Sequence, residues 1–562
     1  MNRNVESHFA ELPSAEIQRS MFDRSSSHKT SFNVGQIIPF YVDEVLPGDT
    51  FNVTTSAVVR LQTPITPIMD NMYMDTYYFF VPNRIVWTHW KEFMGENTDS
   101  PWIQQTEYRV PRIEPPSGGW NVGSIADYLG VPPKVDIGTY TDVGNAPSAL
   151  PFRAYALICD QWFRDQNLAN PLVISTGDAT VVGTNGDGVS DIAKGGSPFL
   201  ANKYHDYFTS CLPSPQKGPN VGLWANNVND VNPHNSYVPV VTRSQAANPH
   251  IDGYTRIPMY MGNAGTFDLD ASSNYGFRRS TETGNPYVSS GDSYPTVVPT
   301  NLWANVGAMN LTINELRLAF QLQKFFERNA RAGTRYREVI HAHFGVTSPD
   351  ARMMIPEYLG GHRFPLSIHQ VANQSQGESD FLGDLGAMSN TSDVHEDFVK
   401  SFTEHGFIIG VCVVRYDHSY PQGLEKFWSR WNKTDYYWPV FANIGEQPVY
   451  KRELYYSAND TANKAVFGYQ EAWADYRYKP SRVSGEMRPG VDNSLATWHL
   501  SDYYTSVPSL SRDWMRESKT IVDRVLSVQS SVANQVFCDF YVQNICTRPM
   551  PMYSIPGLID HH

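Results

Sequence analysis

No apolar run in this 562-residue chain approaches the roughly 20 residues a membrane-crossing helix needs, so membrane insertion as a helix is not expected. The polar opening MNRNVESHFAEL has no signal-peptide core, and synthesis in a cytoplasm is the default expectation. Cysteine is scarce. Cys159, Cys211, Cys412, Cys538 and Cys546 are too dispersed for a compact zinc module, and one is left over even if four pair, so reduced structural thiols are expected. Positive charge is short as well: 44 Lys and Arg stand against 57 Asp and Glu, a net charge of −13. That balance excludes a globally basic nucleic-acid protein but leaves room for a local basic surface. Phosphate-binding GxGxxG and GxxxxGK(S/T) loops, HExxH and EF-hand patterns are all missing, so no cofactor and no metal are expected. No period of 20–50 residues recurs, which argues against a solenoid.

What the chain has is punctuation and aromatic mass. Its 38 prolines and 39 glycines are dispersed, cutting a sequence that is 13% aromatic into short elements. A mainly β framework with a few helices and long loops follows. From Phe51 to Leu61 the residues Phe51, Val53, Thr55, Ala57, Val59 and Leu61 alternate with a more polar set, which is strand periodicity. Pro47 and Gly48 form a turn before it. Tyr73–Val81 reads as a strand with aromatics on both faces, and FIIGVCVVRY at 407–416 as a buried one packed on a second sheet. Shorter runs at Tyr436–Phe441 and Phe537–Val542 add strands of uncertain register.

One long segment reads as helix, from about 312 to 332. Thr312 and Glu315 have capping-box spacing, and Leu316, Ala319, Phe320, Gln323 and Phe326 recur at three and four residue intervals. Gly333 can stop the helix, and Lys324, Arg328 and Arg331 suit its carboxyl end. The stretches 111–151 and 177–196 look like surface loops, and the acidic stretch 369–399 like a solvated loop, with a flexible flap or a subunit contact as the alternatives.

Catalytic signals are weak. Glu315, Glu357 and Glu404 have no spacing that would set two carboxylates at glycosidase separation. Tyr455, Tyr456, Tyr476 and Tyr478 fit a sugar-stacking platform and a protein interface equally. His341 and His343 would share one face of a strand but not of a helix, and His561 and His562 are a bare terminal pair. For nucleic acid the candidates are Arg3, Arg19, Arg24, Lys29, Lys324, Arg328, Arg331, Arg335 and Arg337. Such residues contact phosphates without reading bases, and Phe22, Phe325 and Tyr336 could stack on single-stranded bases.

The helical run, with HFGVTSPDARMMIPEYLGG at 343–361, resembles the major capsid proteins of the gokushovirus branch of the microviruses, small tailless single-stranded DNA phages. The similarity continues through FNVGQIIPFYVDEVLPGDTF at 32–51, HDYFTSCLPSPQKG at 205–218, SFTEHGFIIGVCVVR at 401–415, FANIGEQPVY at 441–450, FGYQEAWADYRYKPSRVSGEMR at 467–488 and RPMPMYSIPGLIDH at 548–561. The resemblance implies an eight-stranded viral jelly roll rather than an enzyme. It also implies assembly of about sixty copies into a closed icosahedral shell around circular single-stranded DNA in the host bacterial cytoplasm.

The implied partners are further copies of the chain, that DNA, a small basic DNA-packaging protein, scaffolding and pilot or minor capsid proteins, and a bacterial surface receptor. The expected organisation is an N-terminal arm and first strand region at 1–50, the first part of the jelly roll at 51–218, a surface insertion at 219–298 projecting near the three-fold axes, and the second part with a C-terminal contact arm at 299–562. Within the insertion Trp224, Tyr237, Tyr254, Tyr260, Tyr275 and Tyr287 are the recognition candidates. Phe9, Leu12, Ile17 and Phe22, with Met550, Met552, Tyr553, Ile555 and Leu558, are the candidate assembly anchors at the two ends. A glycan-binding attachment protein and a polysaccharide-acting enzyme are the competing readings.

Overall fold

The computed structural model describes residues 18–98, 106–135, 146–219, 221, 237–239, 303–305, 313–375 and 382–554. The chain divides into two compact units, one of Met1–Lys217 with Glu327–His562 and one of Gly218–Phe326.

The first unit is built on two antiparallel sheets. Their strands in chain order are β1 (Ser20–Asp23), β2 (Ser26–Phe32), β3 (Gln36–Val45), β4 (Thr50–Leu61), β5 (Met72–Pro82), β6 (Phe199–Leu200), β7 (Glu357–Gly360), β8 (Arg363–Pro365), β9 (Thr391–Ser401), β10 (Gly406–Tyr416) and β11 (Val536–Arg548). One sheet runs β1-β11-β4-β9, with β2 also on β11. The other runs β7-β5-β10-β3-β6, with β8 also on β5. Central partners such as β4 with β11, and β5 with β10, are far apart in sequence. Long crossovers therefore join the sheets, and the loops of the chain are the consequence.

Alternation decides which side chains enter the space between the sheets. Phe51, Val53, Ala57, Val59 and Leu61 of β4 meet Phe40, Tyr78, Phe80, Ile408, Cys412 and Val414 of the opposing sheet in one buried cluster. Phe40 and Phe540 stack across it at 4.5 Å. The sheet containing β5 and β10 is covered on its other face as well. There Phe79, Val81, Ile409, Val411 and Val413 pack under helix α1 (Leu150–Ile158) with Trp87, Trp120 and Phe152. Burying each such large side chain stabilises by roughly 1.5–3 kcal/mol, which explains why both strands read as continuous apolar runs. A third cluster, around Tyr207, Phe208, Tyr420, Phe467 and Trp514, lies by the hairpin of Glu446–Tyr450 and Val466–Glu471.

Several expectations need correction. The stretches 111–151 and 177–196 do more than loop over the surface: Ile113–Glu114 pairs in parallel with Val181–Val182, and Ile113, Trp120, Ile125 and Ile192 are buried in the second cluster. Tyr436–Phe441 is not a strand. It holds a 3-10 turn at Pro439–Phe441, because proline removes the ladder donor a strand would need. The acidic stretch from 391 is strand β9, paired along β4, and Ile368–Ala372 with Leu385–Ser389 form a hairpin. Its charges misled because they alternate at strand period.

The long helix is α2 (Ile313–Ala332), and Gly333 at φ +94° ends it as expected. The expected cap Thr312 lies outside the described residues. A second helix, α3 (Tyr336–Phe344), carries His341 and His343. Of these, His343 Nε2 meets Asn329 Oδ1 at 2.7 Å. All five cysteines are buried and unbridged.

Candidate assembly and nucleic-acid surfaces

Most of the basic candidates are neutralised within the subunit. Arg19 donates to the Gly48 carbonyl at 2.7 Å. Arg24 pairs with the buried Asp43, and Lys29 lies 3.5 Å from Asp539 in an exposed pair. Arg331 pairs with Glu446. Arg335 reaches Glu338 at 3.2 Å and the Asp160 carbonyl, and burial lowers its pKa. Arg337 pairs with Asp350 at 2.7 Å while its guanidinium sits 4.6 Å from the Trp162 ring centre. Lys324 and Arg328 are exposed on α2, and Arg3 lies outside the described residues.

The expected recognition residues Trp224, Tyr254, Tyr260, Tyr275 and Tyr287 lie outside the described residues. Tyr237 belongs to a strand, Tyr237–Pro239, that pairs antiparallel with Trp303–Asn305. Among the assembly candidates, Phe9, Leu12, Ile17, Ile555 and Leu558 are likewise outside. Phe22 is half-buried in β1 opposite Cys546. Met550, Met552 and Tyr553 are exposed, Tyr553 at 77%.

Sequence reasoning passed over an uncovered aromatic surface. KFWSRWNKTDYYWPVF at 426–441 forms successive 3-10 turns that leave Trp428, Tyr436, Tyr437 and Trp438 in solvent, with Trp431 91% and Val440 88% exposed. The available signal was aromatic density without strand alternation. Cations interleave: Arg430 pairs with Asp475 and lies 4.2 Å from the Tyr476 ring centre. Lys479 and Arg482 both pair with Glu425, and burial of that carboxylate is outweighed by their hydrogen bonds, which lower its pKa. Of the four singled-out tyrosines, Tyr476 and Tyr478 line a cleft with Phe208, Phe427 and Lys426. Tyr455 and Tyr456 line a different depression beside Gln422 and Arg488.

The carboxylates at and near this surface do not form a catalytic pair. Glu425 and Asp475 are ion-paired, and Glu453 is buried, its pKa raised by burial, with Tyr207 Oη donating to it at 3.0 Å. Glu357 pairs with Lys400, and Glu404 with Arg84 at 2.6 Å. Deeper in the unit, Lys203 Nζ and His418 Nδ1 both meet Asp502, at 2.6 and 2.7 Å, while His418 Nε2 meets Glu517 at 3.0 Å. Burial opposes charge on His418, but Glu517 and Asp502 outweigh it and raise the ring to about 9. A ring charged at neutral pH with both nitrogens engaged has no lone pair for base catalysis. Asp75 is similar: burial raises its pKa, but Arg415, Arg363 and Tyr204 together bring it below the ordinary value. These sets fix the geometry of the fold.

An antiparallel sandwich with an uncovered aromatic surface is the build of a protein that works by association. The chain belongs to the capsid protein (F protein) family, which it matches over residues 10–558. It is 38% identical to the capsid protein VP1 of Chlamydia phage 1, over 99% of this chain and 98% of that protein. It is 42% identical to the capsid protein VP1 of Spiroplasma virus 4, over 94% of each, and 37% identical to that of Bdellovibrio phage phiMH2K, over 99% and 98%. It is thus a gokushovirus-like phage capsid protein, a structural component of the virion that associates with further copies into a shell.

Proposed function

We propose that about sixty copies of this chain close into a small icosahedral shell around circular single-stranded DNA, with the sandwich serving as an eight-stranded jelly roll. The observation that carries this reading is the aromatic surface at 426–441. Contiguous exposed apolar patches of this kind mark interaction sites, and in the shell neighbouring copies cover it. Heterologous contacts of that type close when polar pairs fix the angle between subunits. The Arg430–Asp475 and Glu425–Lys479 pairs at its rim supply such fixed polar groups.

The net charge of −13 leaves much of the DNA neutralisation to a small basic packaging protein. Lys324 and Arg328, both exposed, remain candidates for phosphate contacts. Residues 219–298 form the outward insertion for a bacterial surface receptor, a reading supported by the separate compactness of Gly218–Phe326. Scaffolding and pilot or minor capsid proteins assist closure.

Trp431→Asp combined with Val440→Asp tests the reading, since both side chains are solvent-exposed and their change leaves the fold intact. Circular dichroism and melting temperature should match the wild type, while electron microscopy of the size-fractionated product should show subunits or small oligomers in place of closed particles. Closed particles at wild-type yield would overturn the proposal.

A further inference from the structure

Strand β9 carries its polar residues on the wrong face for an ordinary half-buried strand. Val394 faces outward and is 68% exposed, whereas Asp393 and His395 point inward, followed by Asp397 at a bulge between Glu396 and Phe398. A half-buried strand normally reverses that arrangement. At the inner edge these residues meet His362, which precedes β8 on the opposing sheet. His395 Nδ1 is 2.7 Å and His362 Nε2 3.9 Å from the same oxygen, Asp393 Oδ2. The two imidazole rings lie 4.6 Å apart. One ligand atom from each of the three residues falls within 4.8 Å of the others.

The surroundings of His395 add a second observation. Its other nitrogen, Nε2, faces Asp397 Oδ1 at 3.0 Å, and the Asp397 side chain is 0% exposed. That carboxylate is itself anchored, accepting through Oδ2 from Thr55 Oγ1, which is hydrogen-bonded to Tyr78 Oη at 2.7 Å. A ligating histidine characteristically donates its remote N–H to a carboxylate, which fixes the tautomer and aims the other nitrogen at the ion. Asp397 stands beside that remote nitrogen at ion-pair distance, Thr76 Oγ1 lies 3.4 Å from the same nitrogen, and Nδ1 faces Asp393.

We infer that His362, Asp393 and His395 form a divalent transition-metal site, best suited to zinc, that ties the two sheets together at the edge of the sandwich. Two imidazoles and one carboxylate match the nitrogen and oxygen preference of zinc and are a poor match for calcium or magnesium, which take oxygen ligands. The half-exposed His362 leaves the fourth tetrahedral position open to water. Asp393 and Asp397 together offset the charge of the ion. Because the ligands come from β9 on one sheet and the segment before β8 on the other, the ion acts as a cross-link and stabilises the folded subunit by binding it in preference to the open chain. The site rests on this geometry alone and stands or falls separately from the assembly reading.

The test uses the full chain without an affinity tag, loaded with zinc, freed of excess by dialysis, and assayed for metal by mass spectrometry and for melting temperature with and without EDTA. The expected result is about one zinc per subunit, a melting temperature lowered by the chelator, and an X-ray absorption spectrum with two imidazole ligands. His362→Gln, at a half-exposed position that tolerates change, and Asp393→Asn should each weaken zinc binding by about 10–100-fold or more and abolish the chelator response. His561→Ala with His562→Ala, which removes the terminal pair, should leave both readouts unchanged. Background zinc in the wild type, or undiminished zinc in both His362→Gln and Asp393→Asn, would overturn the site.

Discussion

His418 shows how one residue couples the fold to pH. Its ordinary pKa is 6.5 and the fold raises it to about 9 through Glu517 and Asp502. The stabilisation is therefore fully present below pH 6.5 and is lost as pH rises through about 9, amounting to at most about 3 kcal/mol. Asp502 runs the opposite way: burial opposes its charge, but Lys203 and His418 hold it far below the usual range, so its contribution persists down to strongly acid pH. Melting temperature should consequently fall between pH 6.5 and 9. His418→Gln should flatten that slope and cost about 3–5 kcal/mol at pH 6.5, because two buried carboxylates lose a partner. An unchanged slope in the variant would assign the pH dependence to other groups. The sequence offers no signal for this set, since Lys203, His418, Asp502 and Glu517 are spread over more than half of the chain.

Among elements, β10 is the most demanding. It pairs with β5 on one side and β3 on the other, and both of its faces are covered. Gly410 marks a tight point between the sheets: an added Cβ would lie 2.9 Å from Tyr78, 3.0 Å from Phe40 and 3.1 Å from Tyr41. Gly410→Val should overpack the space between the sheets and destabilise by about 1–3 kcal/mol, read as a lower midpoint in urea with an unaltered slope. A midpoint equal to the wild type would show that the neighbouring rings move aside at no cost. The apolar run of β10 and the alternation of β4 were legible in sequence because burial imposes them directly. Strand β9 was not, since its inward aspartates and histidine give an alternation that reads as solvated.

For the molecule as a whole, the C-terminal segment joins fold to assembly. Arg548 closes β11 with bonds to Asp49 at 3.0 Å and the Glu44 carbonyl at 2.6 Å, so it belongs to the subunit core. Beyond it Met550, Met552 and Tyr553 are exposed on a proline-restricted backbone. Deleting residues 549–562 should leave the subunit melting temperature close to the wild type, since Met550, Met552 and Tyr553 are exposed, and should reduce the yield of closed particles on size exclusion. Full particle yield would remove the segment from the assembly contacts.

By itself the sequence determined the mainly β framework, the long helix with its glycine stop, the buried strands and the capsid family. Each of these depends on local periodicity or on long motifs in order, which one chain displays without its partners. Only the tertiary structure decided the buried ion sets, the His362–Asp393–His395 cluster and the exposure of Trp431 and Val440. Crossovers between two sheets bring together residues from separate parts of the chain, and whether an aromatic side chain is covered depends on neighbours that spacing along the chain does not reveal.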